Sequence, residues 1–184
     1  MTNLFNQLIS KFNHDDCIKV ILVDISQQQL LLINQNGISY QWPVSTALAG
    51  PGNQLNSYQT PLGAHVVSEK VGHLEPKHMI FKGRKPTGEL ANIINTATST
   101  NLDQITSRIL WLKGLESGIN LGPGVDTHDR FIYIHGTNEE GLIGQAASHG
   151  CIRMLNNDII ELFDQVDVNT PVYICESQKT LDLV

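Results

Sequence analysis

Cysteine is scarce in this chain of 184 residues: Cys17, Cys151 and Cys175 are the only three. An odd number with no CxxC pair argues against a disulfide framework, although it leaves room for one Cys pair. Charge is also sparse, at 16% of residues, and the balance is acidic at −6, which argues against a large nucleic-acid footprint. No window reaches the length of a membrane span. The first residues, MTNLFNQLISKFNHDD, show neither a charged leader nor an unbroken apolar run, so no signal peptide is visible there. Internal repeats, low-complexity tracts and a clear domain break are absent as well.

What is present is an ordinary apolar content of 41%, enough for one domain with a full core. Leu4, Phe5, Leu8, Ile9 and Phe12 recur at helical spacing and predict a short amphipathic helix packing on the main body. From residue 18 the pattern turns to strands: IKVILVDI, QLLLIN and GISYQWPVS, with Asn36-Gly37 as a hairpin signal. A Gly/Pro/Asn-rich loop, AGPGNQLNSYQTPLG, precedes a further strand, AHVVSEKVG. Residues 74–107 read as polar and irregular, with GELANIINTA as a helix inside them; a connection of that length points to a binding loop. Lys70, Lys77, Lys82, Arg84 and Lys85 crowd this part of the chain. They read first as a solvated loop and second as a rim that attracts carboxylates. RILWLKGL and RFIYIHG resume the strands, and alternation puts His135 on one face with Phe131 and Tyr133. NNDIIELFDQV predicts an amphipathic helix opened by an Asn or Asp cap, and TPVYICE a closing strand. The expected class is mainly β with a few helices.

Cys17 and Cys175 border apolar runs, where a thiol is usually buried and inert. Cys151 is set differently, in SHGCIRM. A thiol serves as a nucleophile when its thiolate is favoured and its sulfur is reachable. His149 lies two residues away, so in an extended segment both side chains point the same way. Gly150 admits backbone conformations and close ligand approach, backbone N–H groups around it suit an oxyanion hole, and Arg153 suits gripping a carboxylate. Both His149 and His135 are candidates for the general base, since reach in space rather than in sequence decides. His128, His135, His149 and Cys151, with Asp126 and Asp129 nearby, are also metal-ligand types, but their spacing matches no common zinc pattern. The cluster Asp126, His128, Asp129 and Arg130 otherwise reads as a solvated turn.

The stretch IYIHGTNEEGLIGQAASHGCIRMLNNDIIELFDQV closely resembles the catalytic signature of the L,D-transpeptidase (YkuD-type) family: a strand-end His-Gly, an Ile-Gly in the intervening loop, then Ser-His-Gly-Cys, an apolar residue and Arg. VSTALAG and QTPLGAHVV resemble its upstream segments, so the likeness covers roughly residues 18 to 175. It implies a YkuD-like β-sandwich at 18–175, with an N-terminal helical extension at 1–17 and a tail at 176–184. It further implies Cys151 as nucleophile and His135 as base, with Ser148, His149 and Gly150 as supporting and oxyanion region. Arg153 would be a substrate contact. The implied reaction is attack on a peptidoglycan stem peptide or muropeptide, thioester formation and transfer to an amine, with no cofactor and no metal. The same resemblance places the substrate in the cell envelope or periplasm. Hydrolysis instead of transfer is one alternative; a metal-binding or a non-catalytic peptidoglycan-binding module is another.

Overall fold

β1 (Lys19–Asp24) and β2 (Gln29–Asn34) each carry an unbroken run of four apolar residues, and both faces of each are buried. Successive side chains leave a strand on opposite sides. Ile21 and Val23 therefore enter the main core, while Val20 and Leu22 face away from it. On that second face lies α1 (Leu4–Ile9), which with the following turn buries Phe5, Leu8 and Phe12 against Val20, Leu22, Leu31 and Ile33. The predicted helix thus covers strands too apolar to leave one side wet. The computed structural model describes residues 4–12, 17–100 and 102–178; most of the predicted 176–184 tail, and residues 13–16 of the extension, lie outside them.

The remaining strands are β3 (Gly37–Pro43), β4 (Gly63–Val71), β5 (Met79–Lys82), β6 (Lys85–Leu90), β7 (Ile105–Gly114), β8 (Tyr133–Thr137), β9 (Ile152–Met154) and β10 (Pro171–Cys175), with α2 (Asn156–Gln165) before the last. They pair in the order β3-β2-β1-β10-β4-β7-β5-β6, with β8 added to β7 and β9 to β8. Among the strands of the described residues, β1–β10 and β8–β9 pair in parallel and the others antiparallel. Past β3 the chain crosses to β9, where Ser45 and Arg153 exchange two backbone hydrogen bonds of 2.9 Å and Ala47 bridges Ser148. The mainly β class is as expected, and the sandwich arises from one sheet closing on itself. Its core gathers Leu30, Leu32, Leu110, Ile134, Ile152 and the α2 residues Ile159, Leu162 and Phe163.

Three details differ from the sequence reading. The β2–β3 hairpin forms, but Asn34 pairs with Gly37, so the two loop residues are Gln35 and Asn36 and the turn sits one position early. GELANIINTA is not a helix: Gly88–Leu90 finish β6, with Leu90 paired to Met79, and the rest runs alongside residues 138–141, with Ile94 donating to the Asn138 carbonyl and accepting from Gly141. Backbone partners in a neighbouring loop outweigh a weak helical preference in an Asn/Thr-rich segment. The 74–107 stretch is therefore a hairpin followed by a strap. Finally, α2 begins after Leu155 without a side-chain cap. Asn156 turns inward instead: its Nδ2 donates to the Thr137 carbonyl and to Glu140, and its Oδ1 accepts from the hydroxyls of Thr106 and Ser107 at 2.6 Å. That knot explains Gly136, where a Cβ would lie 2.7 Å from both Asn156 Oδ1 and the Thr106 carbonyl.

Candidate active site

The parallel register of β8 and β9 sets Ile134 against Ile152 and His135 against Arg153. By alternation, Tyr133 and His135 on one strand share a face with Arg153 and, just before β9, Cys151. The sheet thereby brings Cys151 and His135, sixteen residues apart in sequence, to one small cavity of about 90 Å³, which Ser148, His149, Arg153 and Asp103 also line. His135 is 2% exposed. Its Nδ1 lies 2.7 Å from the Gly136 carbonyl, which can only accept, so Nδ1 carries the proton and Nε2 keeps its lone pair. Burial pulls its pKa down to about 4, against smaller upward pulls from the Gly136 carbonyl and Asp103. It is a neutral imidazole at neutral pH.

Cys151 is partly buried, packed against Met79, Phe81, Ile109, Trp111 and Tyr133. The Tyr133 N–H donates to its sulfur at 3.4 Å, and the thiol donates to the Phe131 carbonyl at 3.5 Å. Desolvation pushes the thiol up to about 12, partly offset by the Tyr133 N–H. Thiol and imidazole thus rest as a neutral pair. Such a pair calls for proton removal as the sulfur attacks, rather than a standing thiolate.

The SHG segment is shaped by its own contacts. Ser148 Oγ accepts from the Gly150 N–H at 3.2 Å and donates to the Cys151 carbonyl at 2.6 Å, closing a tight loop around Cys151. Gly150 has φ +128°, a conformation that side chains disfavour. Its carbonyl accepts from Thr60 Oγ1, which ties the loop to the Gly/Pro-rich segment.

Arg153, expected as a substrate contact, has its guanidinium engaged within the protein. It is 1% exposed, and its guanidinium is already occupied: Nη2 lies 2.5 Å from Asp103 and Nη1 3.0 Å from Glu139, itself fully buried. Asp103 comes from the strap after the β5–β6 hairpin and also meets His149 Nδ1 at 2.7 Å. Arg153, His149 and several nearby groups hold the Asp103 carboxyl below its ordinary range despite burial. Glu139 in turn accepts the Thr100 N–H, and Asn138 accepts that of Gln104, which fastens the strap beside His135. Nothing in the sequence marks Asp103; Glu139 stands just beyond the strand-end His-Gly and could have been suspected from that place alone.

A second, larger cavity of about 370 Å³ adjoins the first, between the Gly/Pro-rich loop and the turn before β8, and His149 lines both. Arg130 closes its floor by donating to the carbonyls of Gly52 and Gln59. The rest of its cluster stays a turn, as predicted: the Asp126 carboxylate accepts the N–H groups of Gly122, His128 and Asp129, and His128 stacks on Trp111 at 3.8 Å. Among the described residues no three His, Cys, Asp or Glu side chains are placed to hold a metal ion. The cationic stretch divides. Lys70 caps the end of α2 through the carbonyls of Phe163 and Val166, while Arg84, at the hairpin tip, lies 4.1 Å over Trp111 and donates to the Tyr133 hydroxyl.

Comparison with known proteins agrees with this picture. YqjB of Bacillus subtilis is 39% identical over 56 residues, 30% of this chain and 32% of that protein. YkuD of the same organism is 56% identical over 41 residues, 22% of this chain and 25% of that one. Among solved structures, an L,D-transpeptidase from Stackebrandtia nassauensis superposes with a TM-score of 0.51 at 18% identity, over 93% of this chain and 64% of that one. Bd1075 of Bdellovibrio bacteriovorus gives 0.54 at 16% identity, over 91% of this chain and 52% of that one. These structural likenesses speak for the fold. The chain covers under two thirds of each of these proteins. The L,D-transpeptidase catalytic domain model, YkuD, matches residues 18–174, and the chain belongs to that family.

Proposed function

We propose that this chain is a cysteine-dependent L,D-transpeptidase acting on peptidoglycan stem peptides. The observation that carries the reading is the meeting of Cys151 and a neutral, Nδ1-protonated His135 at one cavity, on adjacent parallel strands. In the first half-reaction His135 Nε2 takes the thiol proton as sulfur attacks the carbonyl on the L side of an L,D amide. The backbone N–H groups of His149 and Cys151 are the ones left to stabilise the developing oxyanion, since that of Gly150 donates to Ser148. The protonated imidazole then hands its proton to the leaving D-amino acid, and a thioester remains on Cys151. In the second half-reaction an amine from another stem peptide displaces the sulfur; water there would give a carboxypeptidase instead. Arg153 works as a positioning residue, holding Asp103 and Glu139 around the cavity.

Incubation with a tetrapeptide acyl donor, followed by intact-mass measurement, tests the reading. The expected result is a covalent adduct lighter than the donor by one D-amino acid, lost in Cys151→Ala. A competent donor that leaves the wild-type mass unchanged would sink the enzymatic reading in favour of a binding module. Adding an amine acceptor then separates transfer from hydrolysis by the mass of the released product.

A further inference from the structure

His149 and His135 both border the cavity of Cys151, yet their settings are opposite. The side chain of His149 is 69% exposed, and its Nδ1 lies 2.7 Å from an Asp103 carboxylate oxygen. A carboxylate accepts, so Nδ1 is the protonated nitrogen and Nε2 is left with its lone pair for an incoming group. The other oxygen of Asp103 is fixed by buried Arg153 at 2.5 Å, and Arg153 is fixed by Glu139, so the carboxylate is braced from behind. His149 also lines the larger cavity that opens beside the thiol. It stands where a second substrate, arriving from solvent, would meet the acylated cysteine.

We propose that His149, oriented by Asp103, is the general base for the acceptor amine, so that each half-reaction has its own histidine. This inference rests on the acyl-enzyme reading above. The step balances without any further reagent. The neutral amine nitrogen forms a bond to the thioester carbonyl carbon and passes one proton to His149 Nε2, while Asp103 stabilises the imidazolium through Nδ1–H. The C–S bond breaks, and the departing sulfur recovers that proton across the cavity that both side chains line. A new amide, a thiol and a neutral His149 result. His135 is the worse placed for this duty: it is 2% exposed, and it is absent from the lining of the larger cavity that His149 shares.

The test isolates the two half-reactions on the full chain. The acyl-enzyme is formed from a tetrapeptide donor, freed of excess donor, and challenged with a diamino-acid-containing stem peptide as acceptor; each step is timed by intact mass. His149→Gln keeps a donor for Asp103 but cannot take a proton, and His149→Ala leaves a gap that free imidazole can fill. Transfer to the amine is expected to slow tenfold or more beyond any effect on acylation in both variants, with free imidazole restoring His149→Ala. Asp103→Asn is expected to lower the transfer rate at saturating acceptor while leaving the acceptor KM within about twofold, the mark of an effect through His149 rather than on binding. Transfer at the wild-type rate in His149→Gln, equal slowing of both steps, or failure of imidazole to rescue would overturn the assignment. A wild-type protein that forms no adduct overturns the parent reading, whereas an adduct with unimpaired transfer overturns this one alone.

Discussion

The site has a strand-borne half and a loop-borne half, and they differ in how they are held. His135 and Cys151 come from β8 and the entry to β9, where the sheet register alone fixes which side chains adjoin. Asp103 comes from the strap before β7, and Glu139 and His149 from opposite ends of the β8–β9 connection; hydrogen bonds and salt bridges bring them together. In the first half the groups are neutral and desolvated; in the second they are charged or hydrated. Under the proposed function this contrast becomes a division of labour, in which the packed half would make the acyl-enzyme and the polar half would govern what happens to it.

The largest expected effect bears on that division. Replacing His135 by Ala should slow formation of the adduct by about 10²–10⁴-fold, the usual worth of a positioned base. His149→Ala should slow the same step far less. Stopped-flow acylation followed by mass measurement gives both rates, and comparable losses would erase the distinction. The pH profile sharpens it. With His135 pulled down to about 4, the acylation rate should fall on the acid side only as pH drops toward 4, well below the ordinary histidine value of 6.5. With the thiol pushed up to about 12, no rise belonging to Cys151 ionisation should appear near pH 8 to 9.

Next comes the brace of the loop-borne half. Glu139 is fully buried and faces Arg153, so Glu139→Gln leaves a buried guanidinium with one carboxylate instead of two. Removing one partner of a buried ion pair costs about 3–5 kcal/mol. Because Asp103 remains, the lower end is expected, about 3 kcal/mol, read as a lower urea midpoint at unchanged slope. A change below about 0.5 kcal/mol would mean that the strap is held by its backbone bonds to residues 138–141 and needs no ion pair.

What the sequence made legible follows the same line. The strand-borne half was readable in part: alternation in RFIYIHG places His135 on a face with Phe131 and Tyr133, but spacing left His135 and His149 both open as the base, and the pairing of His135 with Cys151 came from the family resemblance of the stretch through SHGCIR. The sheet then needed only to pair two neighbouring strands. The loop-borne half was not, because Asp103 is one polar residue in a polar stretch and becomes informative only when the strap docks on residues 138–141. Arg153 shows the converse: its charge was legible, whereas the carboxylates that brace its buried guanidinium were not. GELANIINTA failed for a related reason: backbone partners far along the chain decided its conformation. Periodicity captured the core strands, α1 and α2, where burial of a stripe dominates.

Acid stability offers a smaller effect that again separates packed from polar groups. His135 and His65 are both buried, and desolvation holds each near a pKa of about 4, below the 6.5 of the unfolded chain. Between those values the unfolded state binds more protons than the folded one, so stability rises with pH through the window and is lost as pH falls from 6.5 toward 4. Each histidine contributes at most about 1.4 kcal/mol per pH unit there. His65, held by the Gly63 carbonyl and the Thr127 hydroxyl, lies outside the site. Urea melts at pH 7 and pH 5 should therefore show His65→Gln losing part of the wild-type difference. An unchanged difference would mean that His65 is hydrated.

The smallest expected effect is the most telling for the loop-borne half. His149→Ala removes a side chain that is 69% exposed and whose carboxylate partner keeps Arg153. Exposed ion pairs contribute about 0–1 kcal/mol, so its thermal midpoint should shift by no more than about 2 °C. Paired with the transfer defect expected above, near-normal stability would separate His149 from every other polar member of the network: it would be held by the fold without holding the fold. A shift as large as that of Glu139→Gln would instead make His149 a structural clasp between the SHG loop and the strap, and slowed transfer in that variant would then report a loosened cavity rather than a missing base.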